Sequence, residues 1–231
     1  MKIRIFIFAL ASFFLLTENS PAIEIRTGID FYNGVKANKP VKTWKELRDE
    51  GVIFQKLDYS CGSAALATVL HHQKIVINER EVIEYILTTG DLRKIIQRKG
   101  FSLLDLKRFV EAKGYEAIGY KLDLESLAQF RAPRITPIVV HGYKHFVVVR
   151  GVREGHVFLT DPARGRLTVP VGQFKDFWYA GNELGGTAQG IGFSVLSEDA
   201  AASQEGALAL KQEDHIYLDH QRLRALVKDR T

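Results

Sequence analysis

The sequence predicts an α+β fold, with N-terminal helices packed on a C-terminal antiparallel sheet. Three observations predict it. Helix start and stop signals crowd the first half: Asn78 with Glu81, Ser102 with Asp105, then Gly90 and Gly114. The second half carries short β-branched runs split by glycine and proline. The helical segments precede the strands along the chain.

The elements follow in order. Residues 23–42 are mixed, with Gly and Pro, and read as an extended arm. TWKELRDE at 43–50 is a short helix. CGSAALATVLHH, from Cys61 to His72, is small and apolar throughout and reads as a buried helix. NEREVIEYILTTG and SLLDLKRFVEAKG each begin with a cap residue and an acid at N3 spacing, and each ends at a glycine. YEAIGY at 115–120 is a first strand. TPIVVH (136–141) and HFVVVRGV (145–152) form a hairpin about a turn at Gly142-Tyr143-Lys144. HVFLTD (156–161) and GRLTVP (165–170) continue the meander. QFKDFWY (173–179) is an amphipathic helix or an aromatic-anchored loop, and IGFSVL (191–196) is the last strand. Residues 197–231 read as a charged, helix-prone or partly disordered tail lying at the periphery. The folded domain is thus expected over 43–196, ahead of this tail.

With 231 residues the chain suffices for one domain with a sizeable core. The net charge is +5, but Lys and Arg are scattered with no dense run, so nucleic acid is not an expected partner. Lys2 and Arg4 precede an apolar run at residues 5–16, with small residues Ser20 and Ala22 before a cut after Ala22. This is the layout of a secretory signal peptide, residues 1–22, and predicts export. An uncleaved N-terminal anchor is the alternative. No other segment approaches transmembrane length.

An exported chain with one cysteine is informative, because cysteines in oxidising compartments usually pair. Cys61 lies in Gln55-Lys-Leu-Asp-Tyr-Ser-Cys61-Gly-Ser, at a helix start whose free N–H groups and dipole favour a thiolate. Ser60 is placed to cap that helix, and Gly62 to let a substrate backbone come close. The Gln55 amide, six residues back, is in reach to donate to an oxyanion beside the Cys61 N–H. A buried helix start with an ordinary glutamine nearby is the competing reading. The base has two candidates flanking one turn, His145 and His141, whereas His71 and His72 lie about 15 Å along the cysteine helix. Asp161 ends the strand after that of His145 and can return beside the imidazole, or it simply starts an Asp-Pro turn.

Gln-x5-Cys-Gly, His-Phe-Val-Val-Val and Asp-Pro-x-x-Gly, in this order, resemble the C39 family of papain-like cysteine peptidases over roughly residues 52–178. The resemblance implies a papain-like fold, with Cys61 as nucleophile, His145 as base and acid, Asp161 as its orienting partner and Gln55 in the oxyanion hole. It favours His145 over His141, because the Phe-Val-Val run accompanies the family's histidine. It implies peptide-bond hydrolysis through a thioester, a polypeptide substrate, and no metal or cofactor. Two departures stand out. The bacteriocin-exporter members carry Asp where this chain has Ser60, and they are fused to membrane-spanning and ATP-binding regions, whereas no P-loop occurs here. The signal peptide, the size and the run VKTWKELRDEGVIFQKLDYSCG resemble the exported C39-like peptidase of functional-amyloid (Fap) secretion systems. That implies a periplasmic enzyme acting on an amyloid subunit or its outer-membrane exporter.

Two other classes compete: a non-cleaving C39-like binding or chaperone module, and acyl transfer to an amine instead of water. Leu184-Gly185-Gly186 faintly echoes a double-glycine cut site, but reads first as a turn before the last strand.

Overall fold

The computed structural model describes residues 29–30, 36–37, 42–179, 189–196, 208–210 and 214. The expected signal peptide, most of the arm, Leu184-Gly185-Gly186, His215, His220 and most of the tail lie outside the described residues. The chain divides into two units, Met1–Thr43 and Trp44–Thr231. In the first, β1 (Ile29–Asp30) and β2 (Lys36–Ala37) pair antiparallel within the arm.

In the second unit the helices come first, as expected. They are α1 (Trp44–Asp49), α2 (Cys61–His72), α3 (Glu79–Thr89), α4 (Leu92–Arg98) and α5 (Leu103–Ala112). Asn78 and Ser102 each close a capping box, accepting the N3 backbone N–H while Glu81 and Asp105 take the cap N–H in return. Two helices are additions to the sequence reading: α4, and α6 (Leu124–Gln129) after β3 (Glu116–Leu122). Both are short and start at an Asp whose side chain accepts from N3, Asp91 from Lys94 N and Asp123 from Ser126 N. Two turns of helix give too little periodicity to register as a pattern, so the cap is the only sequence signal.

The sheet has six strands, all paired antiparallel, in the order β3-β8-β4-β5-β6-β7. β4 (Arg134–Val140), β5 (Tyr143–Arg153), β6 (His156–Asp161) and β7 (Gly165–Pro170) form the expected meander. β8 (Gly190–Leu196) does not extend it but inserts between β3 and β4. The first hairpin is tighter than expected. Val140 pairs with Tyr143, so the turn is His141-Gly142 alone, with φ of +50° and +77°. Two positive φ values suit the twist of the flanking strands, and this lets Tyr143 and Lys144 join β5.

Alternation along β5 sorts the core. Val148 packs with Leu66, Leu70, Ile86, Leu106 and Phe109 of the helices. Val147 and Val149 pack instead with Leu159 and with Phe174 and Trp178 of α7 (Val171–Tyr179). Residues 173–179 are therefore helical, and their aromatic side chains at i and i+4 are buried.

The tail departs from the peripheral reading where it is described. Leu208 is 0% exposed within the helical core, and its N–H donates to His72 Nδ1 at 3.4 Å. Asp214 accepts from the buried Arg150 on β5. An apolar side chain and a counter-ion for a buried arginine explain why this stretch is drawn in. No helix among the described residues is long and apolar enough to cross a membrane.

Candidate active site

Cys61 is the first residue of α2 and is buried. The first-turn N–H groups of a helix have no partner within it, so they lend partial positive charge to the thiol's surroundings. Ser60 holds the N-cap position, but its hydroxyl makes no cap bond. It donates instead to Glu79 Oε1 at 2.6 Å and accepts the Leu57 N–H at 3.1 Å. The hydroxyl oxygen accepts from the Leu57 N–H and not from a helix N–H, while its proton faces Glu79, which corrects the capping role expected of Ser60.

Gly62 also has a different reason from the one expected. A Cβ there would lie 3.1 Å from Cδ2 and 3.4 Å from Cε2 of Phe146. The close approach is therefore to the chain's own β5. The glycine lets the first turn of α2 sit against the residue next to His145.

The structure brings His145 and Asp161 together. One step beyond the Val148–Thr160 pair, the ladder sets Asp161 across from Val147. His145 is two residues from Val147 on the same strand, a diagonal neighbour. His145 Nε2 lies 2.9 Å from Asp161 Oδ1, which also accepts the Ala163 N–H at 2.7 Å. The other ring nitrogen, Nδ1, remains for a second partner, and Cys61 is near enough to raise the pKa of the imidazole. The His145 side chain is 14% exposed and that of Asp161 is 6% exposed.

The electrostatics follow from this line of groups. Burial pushes the His145 imidazole toward its neutral form. Hydrogen bonds and attraction from Asp161 and Cys61 outweigh it and hold its pKa at about 9, above the ordinary 6.5. Burial also opposes the charge on Asp161, but His145, the Ala163 N–H and Arg164 together hold its carboxyl below the usual range. A thiol, an imidazole and a carboxylate so linked can sustain a thiolate–imidazolium pair, the form needed for attack on a carbonyl.

Gln55 stands on the loop leading into α2. Its backbone N–H donates to Pro162 O at 2.9 Å, tying it to the turn that follows Asp161. Its Nε2 donates to Leu57 O at 3.0 Å, and its Oε1 has no hydrogen-bond partner among the described residues. An amide NH2 has two protons, so one remains for a developing oxyanion.

Among the other histidines, His141 sits on the exposed hairpin turn and His71 is exposed at the end of α2. His72 is buried against Leu208, and His156 Nδ1 pairs with Glu154 O at 2.8 Å. The sequence reading did not single out Glu79, which is 3% exposed. It sits in the run Asn-Glu-Arg-Glu, where neighbouring charges read as a solvated first turn.

The sequence model of the Peptidase C39 family matches residues 49–182. A protein of Pseudomonas aeruginosa named probable functional amyloid protease FapD is 35% identical over 161 residues, covering 69% of this chain and 66% of its own length. This chain thus spans just under two thirds of that relative. The lactococcin-G-processing and transport ATP-binding protein LagD of Lactococcus lactis is 27% identical over 132 residues, which is 55% of this chain and 17% of LagD. The peptidase domain of Streptococcus ComA, a bi-functional ABC transporter, superposes with a TM-score of 0.51 at 18% identity. That match covers 64% of this chain and 98% of the domain, and it is a likeness of fold.

Proposed function

The chain belongs to the Peptidase C39 family of cysteine peptidases, and from that premise we propose that it is a periplasmic endopeptidase whose centre is Cys61, His145, Asp161 and Gln55. The supporting observation is the imidazole of His145, 2.9 Å from Asp161 and held in its charged form up to about pH 9 by Asp161 and the nearby Cys61.

In this reading the Cys61 sulfur attacks a peptide carbonyl. The second N–H of Gln55 and a first-turn N–H of α2 hold the oxyanion. His145 Nδ1 gives its proton to the leaving amine, and the free base then draws a proton from water, which hydrolyses the thioester. Asp161 fixes the tautomer and steadies the imidazolium.

The substrate is a polypeptide. The Pseudomonas relative is named a probable functional amyloid protease, which directs the search to amyloid subunits first, with their outer-membrane exporter as the second candidate. Residues 1–22 act as the export signal, 43–196 as the peptidase domain and 197–231 as a tail that docks in part on it.

The test is alkylation of Cys61, the single cysteine, by iodoacetamide at pH 7. A cysteine with an ordinary pKa of about 8.5 is only about 3% thiolate there, so His145→Ala should slow the reaction by roughly tenfold or more. Equal rates would sink the reading. If wild type cleaves an amyloid-system protein and Cys61→Ala does not, the chain is a peptidase. A Cys61→Ala protein that keeps all function would make it a holder.

A further inference from the structure

We infer that Glu79 is a positioning residue for the oxyanion donor: its buried carboxylate fixes the Lys56–Ser60 turn and, through it, the amide of Gln55. The inference rests on the roles proposed above for Cys61 and Gln55.

Glu79 opens α3, yet it is 3% exposed. Burying a carboxylate is costly unless donors meet it. Both donors come from the loop before the nucleophile. Oε1 takes the Lys56 N–H at 3.0 Å and the Ser60 hydroxyl at 2.6 Å, the latter the length of a charge-assisted bond. Oε2 has no partner among the described residues. The carboxylate is thus directed at the loop through one oxygen.

Lys56 and Ser60 bracket the turn, and its carbonyl at Leu57 is the shared acceptor. Leu57 O receives the Ser60 N–H at 3.1 Å and Gln55 Nε2 at 3.0 Å, and it lies 2.9 Å from Ser60 Oγ, whose single proton it shares with the closer Glu79 Oε1. The Leu57 N–H in turn donates to Ser60 Oγ at 3.1 Å. An amide group is planar, so fixing one N–H of Gln55 on Leu57 O fixes the direction of the other. The Gln55 backbone is anchored on the opposite side by Pro162 O. Glu79 therefore orients a group that it does not touch. Its oxygen serves as an acceptor, so a neutral amide oxygen can replace it.

Two reactions of Cys61 separate this role from general support of the fold. p-Nitrophenyl acetate acylates the sulfur: the S–C bond forms, p-nitrophenolate leaves, and an oxyanion develops between. Iodoacetamide alkylates the same sulfur at a saturated carbon, expelling iodide with no oxyanion. Rates are measured on the full chain at pH 7, with Cys61→Ala as background. Glu79→Ala is expected to slow acylation at least about tenfold while changing alkylation by less than about twofold. Glu79→Gln, which keeps the acceptor oxygen, should hold both rates within about threefold of wild type. Ser60→Ala breaks the bridge and should show the same selective loss as Glu79→Ala. It decides the matter if Glu79→Ala does not fold. Acylation left intact, or both reactions falling by one factor, overturns the assignment. Failure of the underlying peptidase reading looks different, because wild type and His145→Ala would then alkylate alike.

Discussion

Asp161→Asn isolates what the carboxylate charge contributes at the site. The amide oxygen can still accept from His145 and from the Ala163 N–H, both of which converge on one oxygen, Oδ1. Geometry is kept and the charge is lost. His145 is held at about 9 against an ordinary 6.5, a preference for the imidazolium worth about 3 kcal/mol. Asp161 and Cys61 share the upward push, so removing one anion should lower the pKa by about 1 to 1.5 units. At pH 8.5 the protonated fraction would then drop about fivefold, from roughly three quarters to roughly one seventh. The assay is a 1H–13C titration of histidine Cε1, with the His145 signal identified by its loss in His145→Ala. Stability gives a second readout. A group whose folded pKa is raised contributes fully below its unfolded value and loses that contribution as pH rises through the folded value. The urea-measured advantage of wild type over Asp161→Asn should therefore shrink by about 1.5 kcal/mol between pH 6 and pH 10. An His145 titration that does not move would refute the electrostatic account of the pair.

Three further outcomes are expected. Gln55→Ala should lower kcat on a peptide substrate about 100-fold with little change in KM, because its amide acts when the oxyanion forms. Leu208→Ala should cost about 3 kcal/mol in urea unfolding and Asp214→Ala a similar amount. The first empties a filled core position and the second strands the buried Arg150. A peripheral tail would leave both variants like wild type. Export should produce a mature chain beginning at Ile23, read from the intact mass of the periplasmic protein. A mass that retains residues 1–22 would favour the N-terminal anchor instead.

The parts legible in the sequence are those with local signals. Asn78 and Ser102 cap their helices from three residues away, and the β-branched runs of β4–β7 alternate within a single strand. The three-block order around Cys61, His145 and Asp161 was legible as well, because each block keeps its own neighbours. The length of the turn at His141-Gly142 is not legible, because a two-residue hairpin differs from a longer one only in backbone φ. Locally, Ser60 reads as a cap and Gly62 as room for substrate. The groups that decide their roles, Glu79 and Phe146, are 19 and 84 residues away in sequence.

The sequence alone determined an α+β chain, its capped helices, its meander and the chemistry its motifs carry. Only the tertiary structure set β8 between β3 and β4, drew Leu208 and Asp214 into the body, and buried Glu79 behind the loop of Gln55. Caps and alternation act over a few residues, so the chain writes them locally. Burial and pairing depend on which distant surfaces exclude water together, and no short stretch of sequence encodes that.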